Sequence, residues 1–368
     1  MAGSSRRLRF SPEKIGEFLE ASYSLETTDQ TWLIEVMEAA RAVWGRGGPV
    51  HGAIYDASDV AAFRVKNLHV IDFTGDRADC LMRGLGLVSP TFVARTFRCL
   101  LANSTRQVGL PEMLPMLEEM GALGYPNATN INGLDPLGLG VFIALWAPDA
   151  TELPRMEMAV YRRMAHHIGA AHRCRRRLHE SQAHRSSVDA TESAEAVLDA
   201  RKRVVHATGP ALAKEARENL IEAANARDRA RTSKGRPEDS LRGWRPLTSA
   251  RWTLVDSFER SGTRYIVARE NQAEIRGLAL LSDRERQAVA YVAIGQSTKE
   301  TAYALGISDV TVRVLLARAA SKLGVRSRAD LLDHAEVRPL RPHPTSPESA
   351  APTVKRGASA PGAFTPHR

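Results

Sequence analysis

Lys299, Ser308, Thr311, Arg313, Arg318 and Lys322 are the residues whose types and spacing point most directly to a chemistry. Arginine offers a planar fork of donors that can bind a guanine edge bidentately or hold a phosphate, and lysine offers a point charge. Lys299 falls at the start of a helical stretch, where unsatisfied backbone N–H groups attract phosphate as its ammonium does. The chemistry implied is contact with a polyanion. A formal charge of +9 over 368 residues favours such a partner, although net charge governs non-specific attraction and not fold.

Other sets carry less. His166, His167, His172 and Cys174 crowd one segment, but no two of them stand four apart on a helical face as metal ligands would, so they read as core or solvated groups. Arg173, Arg175, Arg176 and Arg177 can touch DNA, yet such a run reads first as a solvated helix end near its negative pole. His206 reads as structural. Cys80, Cys99 and Cys174 form no CxxC pair, which spells out neither a disulfide framework nor a zinc site and suits a reducing cytosol. No Gly-rich phosphate loop, Ser-His-Asp pattern or paired-carboxylate motif stands out, so neither catalysis nor a cofactor is expected. MAGSSRRLRFSPEKIGEFL lacks an apolar signal core, and the longest apolar run, LGLGVFIALWA, is shorter than the ~20 residues a bilayer requires. A cytoplasmic protein with no membrane partner is expected.

The elements that must position the six residues lie in 278–337. Ser282 can cap a first helix, with Glu285 completing a capping box, and Val289, Val292 and Ala293 supply its apolar stripe. A second helix is expected from about Thr298 to Leu305, stopping at Gly306; Ser308 then caps a third to Leu323, closed by Gly324, and a fourth begins at Ser327. Four short helices, the middle pair joined through glycine, describe a helix-turn-helix unit.

These residues closely resemble the LuxR-type helix-turn-helix domain of bacterial transcription factors. The matches are Leu281, Ser282, Arg284, Glu285, Gly295, Ser297 to Glu300, Ala302 and Leu305 to Ser308, then Thr311 to Arg313, Lys322 to Val325 and Ser327 to Ala329. The resemblance implies that the third helix enters the major groove while the second crosses the backbone. It puts Thr311 and Arg313 at groove-facing positions, with Arg318 and Lys322 on the DNA backbone. Two departures stand out: Leu315 where the family often has His, and Ala319 where it often has Ile. The inward stripe is expected to be Val312, Leu316, Ala319 and Leu323, leaving Leu315 on the stripe's flank toward the groove, where its methyl groups can meet thymine. The same stretch also resembles the last helix-turn-helix of sigma factors, which makes a sigma-like promoter-recognition protein one alternative. A ligand- or protein-binding module with a decayed helix-turn-helix is another.

Upstream, 43% hydrophobic and 25% charged residues are those of a globular chain long enough for two or three domains. Residues 1–180 read as two helices, with Ser11 and Pro12 opening the first, then strands PVHGAIYDAS and FRVKNLHVIDF, then a helix through SPTFVARTFRCLLAN. Paired strands YPNATNING and LGLGVFIALWAP follow, and a long helix from about Thr151 to His179. This predicts an α+β domain, an antiparallel sheet with helices segregated to one side. Its element order is similar to GAF-type sensory domains, which implies a sensing or dimerising role. After a linker at 181–193, residues 194–271 predict hairpin, helix, hairpin, with Trp252, Leu254, Tyr265 and Val267 alternating on the second hairpin, the outline of a PAS-like module. The Pro/Ala/Ser-rich 338–368 reads as a disordered tail. The expected partners are double-stranded DNA and a second copy of the chain, with the long helix as the dimer seam. RNA polymerase and an unknown small-molecule ligand of the N-terminal domain are further candidates.

Overall fold

The computed structural model describes residues 10–25, 27–73, 89–98, 101–108, 114–149, 153–183, 195–232, 241, 252–260, 263–270, 278–334 and 337. Helices α1 (Pro12–Ser22) and α2 (Asp29–Trp44) come first. Pro12 pre-sets the helical φ of α1, and Ser11 stands at its N-cap position without a side-chain cap bond. In α2 the Thr28 hydroxyl accepts from the Thr31 amide, and Gly45 closes the helix in the left-handed region at φ 64°.

Strands β1 (Val50–Asp56), β2 (Arg64–Ile71), β3 (Ala102–Ser104), β4 (Asn127–Leu134) and β5 (Leu139–Ala147) form one antiparallel sheet in the order β2-β1-β5-β4-β3. Strand alternation sends two sets of side chains to opposite faces. Val50, Ile54, Ile131, Val141, Ile143 and Leu145 meet α1, α2 and the long helix α6 (Arg155–Ala183) in one core. On the other face Ala128, Ala144 and Trp146 pack with Met120 of α5 (Leu114–Ala122), while Tyr55, Leu134 and Phe142 meet Val93 and Phe97 beside α3 (Pro90–Thr96). Helices therefore cover both faces, correcting the one-sided layout, because both alternating sets are apolar enough to need cover. The helix expected through SPTFVARTFRCLLAN is also shorter. It ends at Thr96, and Ala102–Ser104 instead pairs with β4, where Asn103 Oδ1 accepts from Asn130 Nδ2 at 2.8 Å. A four-residue helix, α4 (Thr105–Val108), follows β3.

α6 lies directly on β4. A Cβ added at Gly133 would come within 2.6 Å of the Gly169 nitrogen, so the two glycines set the closest approach of helix and sheet. From Met164 to Arg175 every residue of α6 is buried within the chain. In this arrangement the middle of α6 cannot be a dimer seam, since its own domain and the elements downstream already cover it.

The arginine cluster of α6 is likewise not a solvated helix end: Arg173 is 4% and Arg175 1% exposed. The Arg175 guanidinium donates to the Ser24 carbonyl at 2.6 Å and the Thr27 carbonyl at 2.5 Å, and pairs with Asp29 at 3.2 Å. Its carbon lies 5.0 Å from the Trp32 ring centroid. Carbonyls left open between α1 and α2 need donors, and this arginine supplies them. Arg176 pairs with Asp135 at 3.0 Å. His166, His167, His172 and Cys174 are core residues, while Cys80 and Cys99 fall outside the described residues.

A second antiparallel sheet, order β7-β6-β9-β8, is made by β6 (Ala196–Leu198), β7 (Val204–Ala207), β8 (Trp252–Arg260) and β9 (Thr263–Glu270), with helix α7 (Lys214–Thr232) between the two hairpins. Leu198, Leu220, Ala224, Ile266 and Ala268 form its buried contacts. The side chains of Trp252, Leu254, Tyr265 and Val267, residues 184–193 of the expected linker, residue 194, and the expected tail at 338–368 lie outside the described residues.

Candidate nucleic-acid interface

Four helices build the C-terminal unit: α8 (Asp283–Ala293), α9 (Thr298–Leu305), α10 (Asp309–Lys322) and α11 (Arg328–Asp333). Each opens on a serine. The Ser282 hydroxyl accepts from the Glu285 amide while the Glu285 carboxylate accepts from the Ser282 amide at 2.8 Å. Ser297 with Glu300 and Ser327 with Asp330 repeat this box, and Ser308 accepts from the Thr311 amide at 3.0 Å. Such caps contribute about 1 kcal/mol each, which matters in helices of six to fourteen residues that have little propensity of their own. Gly306, at φ 67°, closes α9 in a conformation that costs other residues, and so sets the turn into α10.

α10 divides sharply around its circumference. At 3.6 residues per turn, Val312, Leu315, Leu316 and Ala319 share one arc, and all four are buried in the core of the unit. Leu315, 8% exposed, is thus part of the core and not a groove-side residue. The inward stripe is broader than the expected one because Val312 and Leu315, three apart, fall on the same face. The opposite arc carries Val310, Arg313, Val314, Ala317 and Arg318, all exposed, with Thr311 at its edge. Val310 (61%) and Val314 (43%) stand at its middle, with Arg313 on one flank and Arg318 on the other. Sequence reading missed these two valines. The signal was present: they are apolar residues four apart that fall off the inward stripe.

The structure brings five of the six expected residues onto α10 and its cap, with Lys299 exposed in the first turn of α9. Not all are equally open to a ligand. The Ser308 hydroxyl lies 2.8 Å from the Thr311 hydroxyl, so this pair serves the helix end first. The Arg313 guanidinium, 68% exposed, meets Asp309 one turn back at 3.3 Å, a surface pair worth little and easily exchanged for another anion. The Lys322 ammonium donates to the Glu285 carboxylate at 2.8 Å. That bond, ahead of the amide and hydroxyl bonds from Ser282, holds the Glu285 carboxyl below its usual range. Lys322 therefore ties α10 to α8, which the sequence did not reveal. Among the described residues no group of three or more His, Cys, Asp and Glu could hold a metal ion.

An exposed helix seated across two shorter ones, with cations on its outer arc and a capped second helix beside it, defines a helix-turn-helix domain. A family model described as bacterial regulatory proteins, luxR family, matches residues 279–335, the same unit. The transcriptional regulatory protein TdiR of Thauera aromatica is 44% identical over 63 residues, 17% of this chain and 28% of that protein. The chain thus spans less than a third of that relative's length. Two solved structures of SdiA overlie most of the chain. The crystal structure of Escherichia coli SdiA covers 86% of this chain and 93% of its own at 10% identity and a TM-score of 0.29. SdiA in complex with octanoyl-rac-glycerol covers 88% and 93% at 11% identity and 0.28. At those scores the overall superposition carries no weight. No described helix is long and apolar enough to cross a membrane.

Proposed function

We propose that this chain is a cytoplasmic bacterial transcription regulator that binds operator DNA through residues 278–337, with an N-terminal region that senses a signal or dimerises. The observation that carries the reading is α10: a fully capped helix whose core side is apolar and whose outer arc is a stripe of valines flanked by arginines, in a segment matched by the luxR-family model. In the proposed complex Arg313 binds a guanine edge or a phosphate, and Lys299 and Arg318 hold phosphates. Val310 and Val314 give apolar contact to thymine methyl groups, taking the role first assigned to Leu315. Thr311 and Ser308 fix the N-terminal end of α10, and Lys322 contributes mainly through Glu285.

One such domain buries little surface, so binding as a homodimer on half-sites about one helical turn apart is part of the reading. Residues 1–180 are proposed as a GAF-like domain, supported by the strand order β2-β1-β5-β4-β3 and the α6 exit. Residues 194–271 are proposed as a PAS-like module, supported by hairpin, helix, hairpin. A small-molecule ligand of the N-terminal region is a further proposed partner, and RNA polymerase is another. The test is a salt titration of the full chain on duplex DNA, which should show affinity falling steeply with salt, by about 0.9 log units per log unit of salt for each phosphate neutralised. No binding at low salt would refute the reading.

A further inference from the structure

The two helices of the motif open with opposite charges. Lys299, exposed, is the second residue of α9, whereas Asp309, with a side chain 40% exposed, is the first of α10. The positive pole of a helix amounts to roughly half a unit charge, so a cation there adds to the pull on a phosphate and a carboxylate cancels it. The acid of α9, Glu300, is taken up by the Ser297 amide at 2.8 Å. The Asp309 carboxylate instead turns along the helix and accepts from Arg313 at 3.3 Å. Ser308 already takes the Thr311 amide at 3.0 Å, which leaves the start of α10 a poor seat for phosphate. In a helix-turn-helix that is the end which meets base edges.

An exposed pair one turn apart is worth little to stability, so what the contact changes is where the arginine fork points and what it accepts as a partner. The bond uses one of five guanidinium N–H groups and leaves others for the O6 and N7 of guanine. An ionised carboxylate only accepts, and the groove offers it the amino groups of cytosine and adenine. The two head groups approach to 3.3 Å, close to the ~3.4 Å rise of one base pair. The pair can therefore span two neighbouring base pairs without separating. A phosphate at Arg313 would stand beside the Asp309 charge and be repelled. We propose that Asp309 is a specificity-determining residue: it commits Arg313 to guanine in place of phosphate, and itself accepts from a cytosine or adenine amino group in the adjacent base pair. The inference rests on the DNA-binding reading and adds the class of sequence that is read.

The test compares the full chain with Asp309→Ala, which removes charge and acceptor, and Asp309→Asn, which removes the charge and keeps the shape. Each is put through a binding-site selection from random duplexes, and its affinity for the selected and for a mixed-sequence duplex is followed across a salt series. The parent should select guanine beside a base that presents an amino group, and Asp309→Ala should lose the second preference. Its ratio of selected to mixed-sequence affinity should fall about fivefold or more, the scale of one lost base contact. In both variants the salt slope on the mixed-sequence duplex should steepen by about 0.9, because Arg313 is free to take a phosphate. An acid that only steadied the helix pole would lower the thermal midpoint and leave selected sequence and slope as they were. That result, with the parent binding duplex, would overturn the specificity role alone. Failure of every form to bind duplex at low salt would overturn the DNA-binding reading and the role of Asp309 with it.

Discussion

α6 and α10 are both rich in arginine and use it in opposite ways. In α6, Arg175 is buried and spends its guanidinium on two open carbonyls and Asp29, so it acts as part of the scaffold. In α10, Arg313 has a side chain 68% exposed and only a solvent-facing partner in Asp309, so it remains available to a ligand. The same contrast holds for the regions around them. The N-terminal domain buries histidines, asparagines and arginines behind aromatic side chains, whereas the C-terminal unit keeps its cations outside and secures short helices by serine caps. The density of basic residues in the sequence is the same clue in both places. What separates a binding residue from a structural one is whether the fold brings it an acceptor.

Acid should separate the two regions most strongly. Burial holds His51, His167 and His172 down at about 3 and His166 at about 4. The unfolded chain therefore binds more protons below the ordinary value of 6.5, and stability is lost as pH falls through the window from 6.5 toward 3. One unit below 6.5 each of these groups gives up about 1.4 kcal/mol, on the order of 6 kcal/mol together. Glu285 works in the carboxylate range: with its folded value depressed, its contribution is present above its unfolded value and disappears only at lower pH. Hydrogen exchange at stepped pH should show α6 losing protection before α8. Simultaneous loss would break the comparison.

Arg175→Ala comes next, with a cost of about 3 kcal/mol or more read as a fall in denaturation midpoint, since it strips charged donors from two buried carbonyls. Leu315→Ala should cost about 2 kcal/mol and lower the midpoint of the C-terminal unit, because the residue is core. If Leu315→Ala left stability unchanged and altered only DNA preference, the partition of α10 would be wrong. Smallest is Val314→Ala, expected to change stability by no more than about 0.5 kcal/mol. It should reduce discrimination at one base pair by about 1 kcal/mol in a binding-site selection.

Much of the C-terminal unit was legible in sequence because its determinants are local. Ser282 and Glu285 are three apart, Gly306 follows α9 directly, and the inward stripe of α10 repeats at helical spacing. The error at Leu315 was one of width: a stripe read from four positions left out a fifth on the same face. Strands β1, β2, β4 and β5 and helix α6 were legible from alternation and length, whereas the three residues of β3 are too few to alternate and its start reads as helix. The role of Arg175 was not, since its carbonyl partner Ser24 is 151 residues away. His167 and Tyr303, 136 residues apart, meet only once the domains have docked. Pairings of that kind have no spacing to read.

The most direct test of the DNA-binding account is Arg313→Ala in the full chain, with duplex affinity followed across a salt series. Loss of about 1 to 3 kcal/mol of binding is expected if Arg313 meets a base edge, with the salt slope shallower by about one if it holds a phosphate, and folding stability within about 0.5 kcal/mol of the parent. Unchanged affinity together with an unchanged slope would show that the outer face of α10 does not meet DNA.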